Sequence, residues 1–368
     1  MRFTGFEIRR ITLPLASPFT TSFGTQNHRE ALIVRAAGDD AEGWGECVAI
    51  VDPVYSPEYT EGAHHVMRSY LIPRLLEAGE FTAQQVAPLL HGIVGHRMAK
   101  AALEMAVLDA ELRATETSFG TFLGAVVDRV PSGVSVGIMP SIDELVDTVS
   151  NYLDEGYQRI KLKIKPGWDV EPVRAIRERF GYDVGLQVDA NTAYTLNDAG
   201  QLRKLDAFDL LLIEQPLGEE DIRQHAELAK LIATPVCLDE SIVSAQAAAD
   251  AIALKAASVI NIKPGRVGGY LEARRIHDLC RANGIAVWCG GMLETGLGRA
   301  ANAALAALPG FTLPGDISAS NRFYETDITE PILLEDGHIR VPTGPGLGVT
   351  PIPADLDRVT TSVDYITR

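Results

Sequence analysis

The sequence lacks the features that mark several classes of protein. It has four cysteines in 368 residues and no CxxC spacing, which argues against a disulfide framework or a cysteine zinc site. The formal net charge is −16 and no run of lysine or arginine offsets it, which argues against nucleic-acid binding. No apolar stretch approaches the roughly 18 residues of a membrane-spanning helix, and residues 1–10 hold no signal-peptide core. We therefore expect a soluble cytoplasmic protein without membrane or nucleic-acid partners.

What the sequence does contain is a long alternation of strands and helices. From about residue 133 to 315, short apolar runs alternate with helical segments, as in βα units. The predicted strands are Val134–Ile138, Arg159–Ile164, Val184–Asp189, Leu210–Glu214, Val236–Asp239, Val259–Lys263, Ala286–Cys289 and Phe311–Leu313. The clearest helices between them are Val170–Phe180, Glu219–Ile232 and Tyr270–Asn283. Eight strands predict an α/β fold of the (β/α)8 type, a modified TIM barrel.

The chain is longer than the roughly 250 residues of one bare barrel, so part of it must form something else. Phe6–Leu13 and Ala31–Ala36 are predicted as antiparallel strands, and Met98–Arg113 as a helix with one apolar face. We therefore predict three parts, which are an α+β capping domain over 1–125, the barrel over 126–321, and a tail over 322–368 that returns to the capping domain. Two segments, Ser17–Thr25 and Gly43–Glu46, have the loop chemistry of a lid.

Five ionisable residues recur at nearly even spacing. Lys163, Asp189, Glu214, Asp239 and Lys263 are separated by 26, 25, 25 and 24 residues, and each closes a predicted strand. That interval is about one strand plus one helix and their loops. All five are therefore expected at the carboxyl ends of successive strands, which is the active-site face of a TIM barrel.

The three acids in this series would repel one another without a cation. Asp189, Glu214 and Asp239 offer only hard oxygen ligands, so the predicted ion is Mg²⁺, or else Mn²⁺ or Co²⁺, rather than zinc. Asn191 and Gln215 are candidates to orient these ligands. The alternative is that each acid caps the helix that follows it.

The lysines suggest a general base. Lys161, Lys163 and Lys165 share one strand face, so their mutual repulsion is expected to lower the pKa of one amine. Lys263 lies beyond the acids in strand order, with Arg266 three residues later. A metal ion between two opposed amines suits abstraction of a proton α to a carboxylate, with the ion stabilising the enediolate. Simple salt bridges between the lysines and the acids are the alternative.

Three segments, 161–169, 261–269 and 290–296, resemble motifs of the enolase superfamily, in the muconate-lactonising-enzyme subgroup and its N-acylamino acid racemase/o-succinylbenzoate synthase branch. The resemblance covers essentially the whole chain. It implies that Lys163 and Lys263 are the acid/base pair, that Lys161 assists, and that Asp189, Glu214 and Asp239 bind the metal. The residues expected to line the substrate pocket are Phe19, Ile50, Ser135, Asn191, Gly291, Met292, Leu293, Glu294, Ile317 and Ser318.

Several functions compete. No histidine closes a barrel strand, which argues against a His-Asp dyad, and Asp316-Ile317-Ser318 stands where similar dipeptide epimerases carry Asp-x-Asp. Racemisation of N-acyl, most simply N-succinyl, amino acids is favoured, because Arg266 would help a Lys263 that transfers protons. Dehydration to o-succinylbenzoate is the alternative, and one enzyme could have both activities.

Two further hypotheses lie outside this chemistry. A Schiff-base aldolase would use Lys263 as a nucleophile. A non-catalytic scaffold would be expected to have lost one of the five spaced residues, and all five are present. The expected partners are a small carboxylate substrate and further copies of the chain in a homo-oligomer.

Overall fold

The computed structural model describes residues 1–368, and the chain begins with an antiparallel sheet. Its strands are β1 (Phe3–Thr21), β2 (Gly24–Gly38) and β3 (Glu42–Cys47). The last strand of the chain, Thr360–Thr367, pairs antiparallel with β1 and forms the other edge of this sheet. The two strands predicted in this part of the sequence lie inside β1 and β2. The end of the chain therefore returns to its beginning.

Five helices follow this sheet. They are α1 (Thr60–Val66), α2 (Ile72–Ala78), α3 (Ala83–Leu90), α4 (Arg97–Ala114) and α5 (Phe119–Leu123), with a π-helical turn at Met67–Leu71 between the first two. The predicted helix Met98–Arg113 is α4. It is buried along most of its length and packs on β3 and β2.

Both segments predicted as lid loops belong to strands. Gly43–Glu46 is part of β3, and a Cβ on Gly43 or Gly45 would come within 2.2 Å of the α4 backbone. These glycines therefore serve close packing of a strand on a helix. Ser17–Thr25 forms the paired ends of β1 and β2 and their turn, with Thr20 opposite Thr25. β-branched residues suit this extended pairing.

The second half of the chain forms a curled parallel sheet of seven strands in sequence order. After a short strand β4 (Arg129–Pro131), these strands are β5 (Gly133–Val136), β6 (Arg159–Lys163), β7 (Gly185–Asp189), β8 (Ile213–Glu214), β9 (Val236–Leu238), β10 (Val259–Ile262) and β11 (Ala286–Cys289). The predicted eighth strand, Phe311–Leu313, is not regular. Phe311 bridges Val287 and Gly315 bridges Ser132, so this segment spans the gap between β11 and β5. Pro314 has no N–H to donate to a ladder.

The helices between these strands cover the outside. They are α6 (Ile142–Asp154), α7 (Val170–Phe180), α8 (Ala199–Leu202), α9 (Ile222–Leu228), α10 (Ala245–Leu254), α11 (Pro264–Val267), α12 (Tyr270–Ala282) and α13 (Gly296–Ala306), with 3-10 turns at 196–198, 203–208 and 320–322. The predictions for α7 and α12 are confirmed to within one residue. The predicted Glu219–Ile232 is too long, because the Asp221 side chain accepts from Gln224 N at 2.9 Å and starts α9 there.

The tail completes both halves. Two short strands, β12 (Leu334–Glu335) and β13 (His338–Arg340), pair with β4, and α14 (Pro353–Val359) leads into β14 (Thr360–Thr367). One continuous apolar core runs through the capping sheet, its helices and the barrel. None of the helices has the length and the apolar character needed to cross a membrane.

Candidate active site

The five evenly spaced residues gather at one end of the parallel sheet. Lys163, Asp189 and Glu214 are the last residues of β6, β7 and β8, while Asp239 and Lys263 directly follow β9 and β10. All five are buried. Three strands separate β6 from β10, so in a ring of eight positions the two lysines stand on opposite sides.

Each acid of the series contacts a cation. Lys163 Nζ lies 2.6 Å from Asp189 Oδ2, and Lys263 Nζ lies 2.7 Å from Asp239 Oδ2. Lys161 Nζ lies 3.0 Å from Glu214 and 3.3 Å from Asp189. These contacts make one buried network of charges across the end of the sheet.

The alternative in which the three acids cap helices is wrong. The helical segments that follow the three acids are the 3-10 turn at 196–198, α9 and α10, and their N-caps are Thr195, Asp221 and Ser244, several residues beyond each acid. Asp189 instead accepts from the backbone N–H of Asn191 at 3.0 Å, within its own turn. The acids therefore face the network and not the helix ends.

Asp189, Glu214 and Asp239 have the type of ligand atom that a hard divalent cation prefers, because they offer buried carboxylate oxygens. The ammonium of Lys161 bridges Asp189 and Glu214, so a positive charge fits between these two acids. Asp239 is turned to Lys263 and Arg266, and no three acids converge closely enough to hold an ion in this arrangement. The ligand set stays a prediction.

The expectation that repulsion lowers the pKa of a lysine is not met at Lys161. Burial alone would lower the pKa of Lys161, but Asp316, Glu214 and Asp189 outweigh it and raise the pKa above its ordinary value. Burial would also lower the pKa of Lys263. The neighbouring Tyr55 and acids outweigh burial, so the pKa of Lys263 is raised as well. The expectation considered only repulsion among the lysines and left out the acids. Lys165 is exposed and outside the network.

The two lysines on opposite sides have different neutral partners. Lys163 donates to Asn191 Oδ1 at 2.7 Å, and Asn191 Nδ2 donates to Glu240 at 3.0 Å. Lys263 donates to the Tyr55 hydroxyl at 3.1 Å, and Tyr55 donates to Asp239 at 3.2 Å. Tyr55 comes from the capping part of the chain, so one lysine is held within the barrel and the other across the two parts.

Arg266 is buried behind Lys263. Its Nε donates to Ile242 O at 2.9 Å, its Nη2 donates to Asn261 O at 2.8 Å, and its Nη1 pairs with Asp239. The side chain therefore ties the turn after β10 to neighbouring segments and shares Asp239 with Lys263. Gln215 supports the same acid from the backbone side, since its Oε1 accepts from Asp239 N at 3.0 Å.

A cavity opens on this network, and most of the predicted pocket residues line it. The predicted residues that lie on its wall are Phe19, Ile50, Ser135, Asn191, Gly291, Met292, Leu293 and Ser318, together with Lys161, Lys163 and Lys263. Glu294 and Ile317 do not line it. Glu294 turns away to accept from Met292 N at 2.9 Å and Asn302 Nδ2 at 3.0 Å, and Ile317 belongs to the apolar core.

Several wall residues were missed from the sequence. They are Thr21, Phe23, Gln26, Tyr55, Gly133, Asp316 and Phe323. Asp316 could have been found, because it follows the eighth strand position as the other acids follow theirs. It lies 2.5 Å from Lys161 and 2.8 Å from Arg159, which hold its pKa below the usual range despite burial. Gly133 begins β5, and the others lie in the capping part or in the tail, where no spacing indicates them.

Comparisons with known proteins agree with this arrangement. Residues 4–124 match the N-terminal domain of the mandelate racemase/muconate lactonizing enzyme family, and residues 144–355 match the enolase C-terminal domain-like family. An N-succinylamino acid racemase from an Amycolatopsis species is 69% identical over 100% of both chains. An o-succinylbenzoate synthase from Geobacillus kaustophilus is 45% identical over 95% of this chain and 92% of its own. The crystal structure of an enolase superfamily member from Listeria innocua superposes with a TM-score of 0.95 at 39% identity, covering 100% of this chain and 99% of the other.

Proposed function

Because the chain belongs to the mandelate racemase/muconate lactonizing enzyme family of the enolase superfamily, we propose that it racemises N-succinylamino acids. The observation that carries this proposal is the pair of buried lysines, Lys163 and Lys263, on opposite sides of one cavity. The racemase relative is identical at 69% of positions, against 45% for the synthase, which favours racemisation.

We assign the proton transfers to the two lysines. The neutral form of one amine takes the α-proton from its side of the substrate, and the ammonium of the other returns a proton to the opposite face. Lys161 keeps its charge among the acids and assists by balancing them. Arg266 positions Asp239 beside Lys263.

Enzymes of this superfamily generally use a divalent metal ion. We propose Asp189, Glu214 and Asp239 as the residues that would hold Mg²⁺, Mn²⁺ or Co²⁺. When bound, the ion would stabilise negative charge that develops on the substrate carboxylate. The cavity wall would bind the remainder of a small carboxylate substrate, with Phe19, Ile50, Met292 and Leu293 as its apolar part.

Synthesis of o-succinylbenzoate is the second candidate, and the synthase relative supports it. That dehydration needs one lysine as base, while the other can act as a fixed positive charge. Both lysines are present, so a single preparation could carry both activities.

The test is to assay both reactions on one preparation with added Mg²⁺ or Mn²⁺. We expect N-succinyl-L-amino acids to racemise to equal amounts of the two enantiomers, with a weaker dehydration activity. The metal-free enzyme is the control and should be inactive. Dehydration without racemisation would favour the synthase, and a substrate adduct trapped by borohydride would favour the aldolase and contradict both.

We also propose the division into a capping domain over 1–125, a barrel over 126–321 and a returning tail over 322–368, assembled as a homo-oligomer. Pairing of β14 with β1 supports the return of the tail. Light scattering on the purified protein measures the number of copies.

A further inference from the structure

One acid of the capping sheet reaches into the barrel. Glu46 is the fifth residue of β3, and its carboxylate is buried. It accepts hydrogen bonds from Thr295 N at 3.0 Å, Thr295 Oγ1 at 2.7 Å and Gly298 N at 3.1 Å. These donors lie about 250 residues further along the chain, at the start of α13. Glu46 therefore links the capping sheet to the segment that joins β11 to α13.

That segment carries part of the cavity wall. Gly291, Met292 and Leu293 line the cavity, and Thr295 ends the same loop. Leu293 has a φ of 57°, a left-handed conformation that costs a non-glycine residue free energy and needs support from its surroundings. The support comes from Tyr324, whose hydroxyl donates to Leu293 O, and from Arg299, which donates to Glu294 O at 2.7 Å.

The packing around Glu46 leaves little room. A Cβ on Gly298 would come 2.7 Å from Glu294 Cγ and 3.0 Å from Glu46 Oε2. The loop end, the helix start and the capping strand therefore meet in one closely fitted place. A shift of the Glu46 carboxylate would leave the backbone N–H groups of Thr295 and Gly298 buried without an acceptor.

We propose that Glu46 is a positioning residue for the substrate pocket, which fixes the wall formed by Gly291, Met292 and Leu293 from the capping sheet. The proposal deepens the proposed racemase function and rests on it. Met292 and Leu293 are apolar, so the wall they form suits an apolar side chain on the amino acid. Glu46 does not line the cavity and acts only through the loop.

The chain offers a matched control in Glu104. This residue of α4 is also buried, and its carboxylate accepts from Leu271 N at 3.1 Å at the start of α12. It joins the same two parts of the molecule by the same kind of contact. It bonds no residue of the cavity wall. Glu104→Gln therefore reports the cost of weakening the junction alone.

The kinetic test compares Glu46→Gln with Glu104→Gln on N-succinylalanine and N-succinylphenylalanine. For Glu46→Gln we expect KM for the phenylalanine substrate to rise about five- to tenfold, with a smaller rise for alanine and kcat within about twofold. For Glu104→Gln we expect both KM values to stay within about twofold. Equal changes in the two variants would overturn the proposal and make Glu46 a structural contact only.

A second measurement does not depend on turnover. Hydrogen exchange followed by mass spectrometry should show faster exchange over residues 290–298 in Glu46→Gln, and over residues 269–273 in Glu104→Gln. Unchanged exchange over 290–298 would contradict the proposal. If the wild type racemises neither substrate, the proposed function fails, while this exchange result still decides the role of Glu46.

A third variant tests the same contact if Glu46→Gln does not fold. Thr295→Val removes the hydroxyl donor to Glu46 from the loop side and keeps the side-chain shape. We expect the same selective rise in KM, at about two- to fourfold. A folded Thr295→Val with wild-type KM for both substrates would argue that the contact does not set the pocket wall.

Discussion

Buried acids lie at the active-site end of the barrel (the barrel end, with Asp189 and Asp316) and at the contact between the capping part and the barrel (the junction, with Glu46 and Glu104). The two sets have different partners. Asp189 and Asp316 lie 2.6 and 2.5 Å from lysine ammonium groups, and these cations hold both pKa values below the usual range despite burial. Glu46 and Glu104 accept backbone N–H groups and form no ion pair. Burial raises their pKa values to about 7 and about 8.

This difference in partners corresponds to a difference in role between acids that take part in the chemistry and acids that position segments of the chain. Asp189 and Asp316, which are paired with cations, stay ionised at neutral pH, so they raise the pKa of Lys161, and Asp189 offers oxygens to a metal ion. Glu46 and Glu104 have no paired cation, so burial raises their pKa values toward neutrality, and their hydrogen bonds hold segments of the chain together. Buried aspartate and glutamate therefore have two roles in this protein, and the presence or absence of a paired cation determines which role each has.

The largest effect should come from the lysines of the barrel end. Lys163→Ala and Lys263→Ala should each abolish racemisation, because each lysine serves one face of the α-carbon. Each variant should still exchange the α-proton of one enantiomer with D₂O, and the enantiomer should differ between them. Loss of a general base costs about 10²–10⁴-fold in the step that it serves.

Proton NMR of separate L and D substrates measures this exchange. Glu104→Gln is the control, since it changes a buried acid that accepts from Leu271 N and bonds no residue of the lysine network. Exchange of the same enantiomer by both lysine variants would refute the two-base arrangement and favour the synthase.

The next largest effect should come from an acid of the same network. Asp239→Asn should lose turnover and also lower the free energy of unfolding by about 3–5 kcal/mol, because Lys263 and Arg266 would keep their buried charges without their partner. Repulsion among the three acids alone would predict the opposite sign, since removing one would then stabilise the fold. Activity assays with added Mg²⁺ and thermal unfolding measure the two effects. Retained metal-dependent turnover would contradict the assignment of Asp239.

The sequence was sufficient to predict which residues lie at the barrel end, but not which residues make the contacts of the junction. Lys163, Asp189 and Glu214 could be placed because each closes a strand, and parallel strands end at one edge. Side-chain partners were harder, since the lysine pKa values depend on acids from other strands. Glu46 and Glu104 could not be assigned, because their partners are backbone amides some 250 and 167 residues away, which carry no sequence signal.

The same limit explains two wrong expectations, one in the capping part and one in the barrel. Gly43 and Gly45 are typical of a turn by composition, and only the approach of α4 shows that they serve packing. Glu294 was expected in the pocket because the family resemblance implied that the whole loop 291–294 lines it. Its side chain instead accepts from Met292 N and Asn302, which a local sequence pattern does not indicate.

The smallest effect should appear in the pH dependence of stability at the junction. A carboxyl group with a raised pKa keeps its proton in the folded state after the unfolded chain has lost it. The contribution of Glu46 and Glu104 to stability is therefore complete below about pH 4.5 and is lost as the pH rises through about 7 and about 8. Each group should contribute a slope of at most about 1.4 kcal/mol per pH unit in that window.

Replacing either acid with glutamine should remove its part of this slope. The unfolding midpoint of the wild type, relative to Glu46→Gln or Glu104→Gln, should therefore fall steadily between pH 5 and pH 8. Asp189 and Asp316 act in the opposite direction and below this range, because their lowered pKa values make stability fall only as the pH drops under about 4. A difference in midpoint that stays constant from pH 5 to 8 would show that the junction acids are already ionised, which would remove the contrast between the two sets.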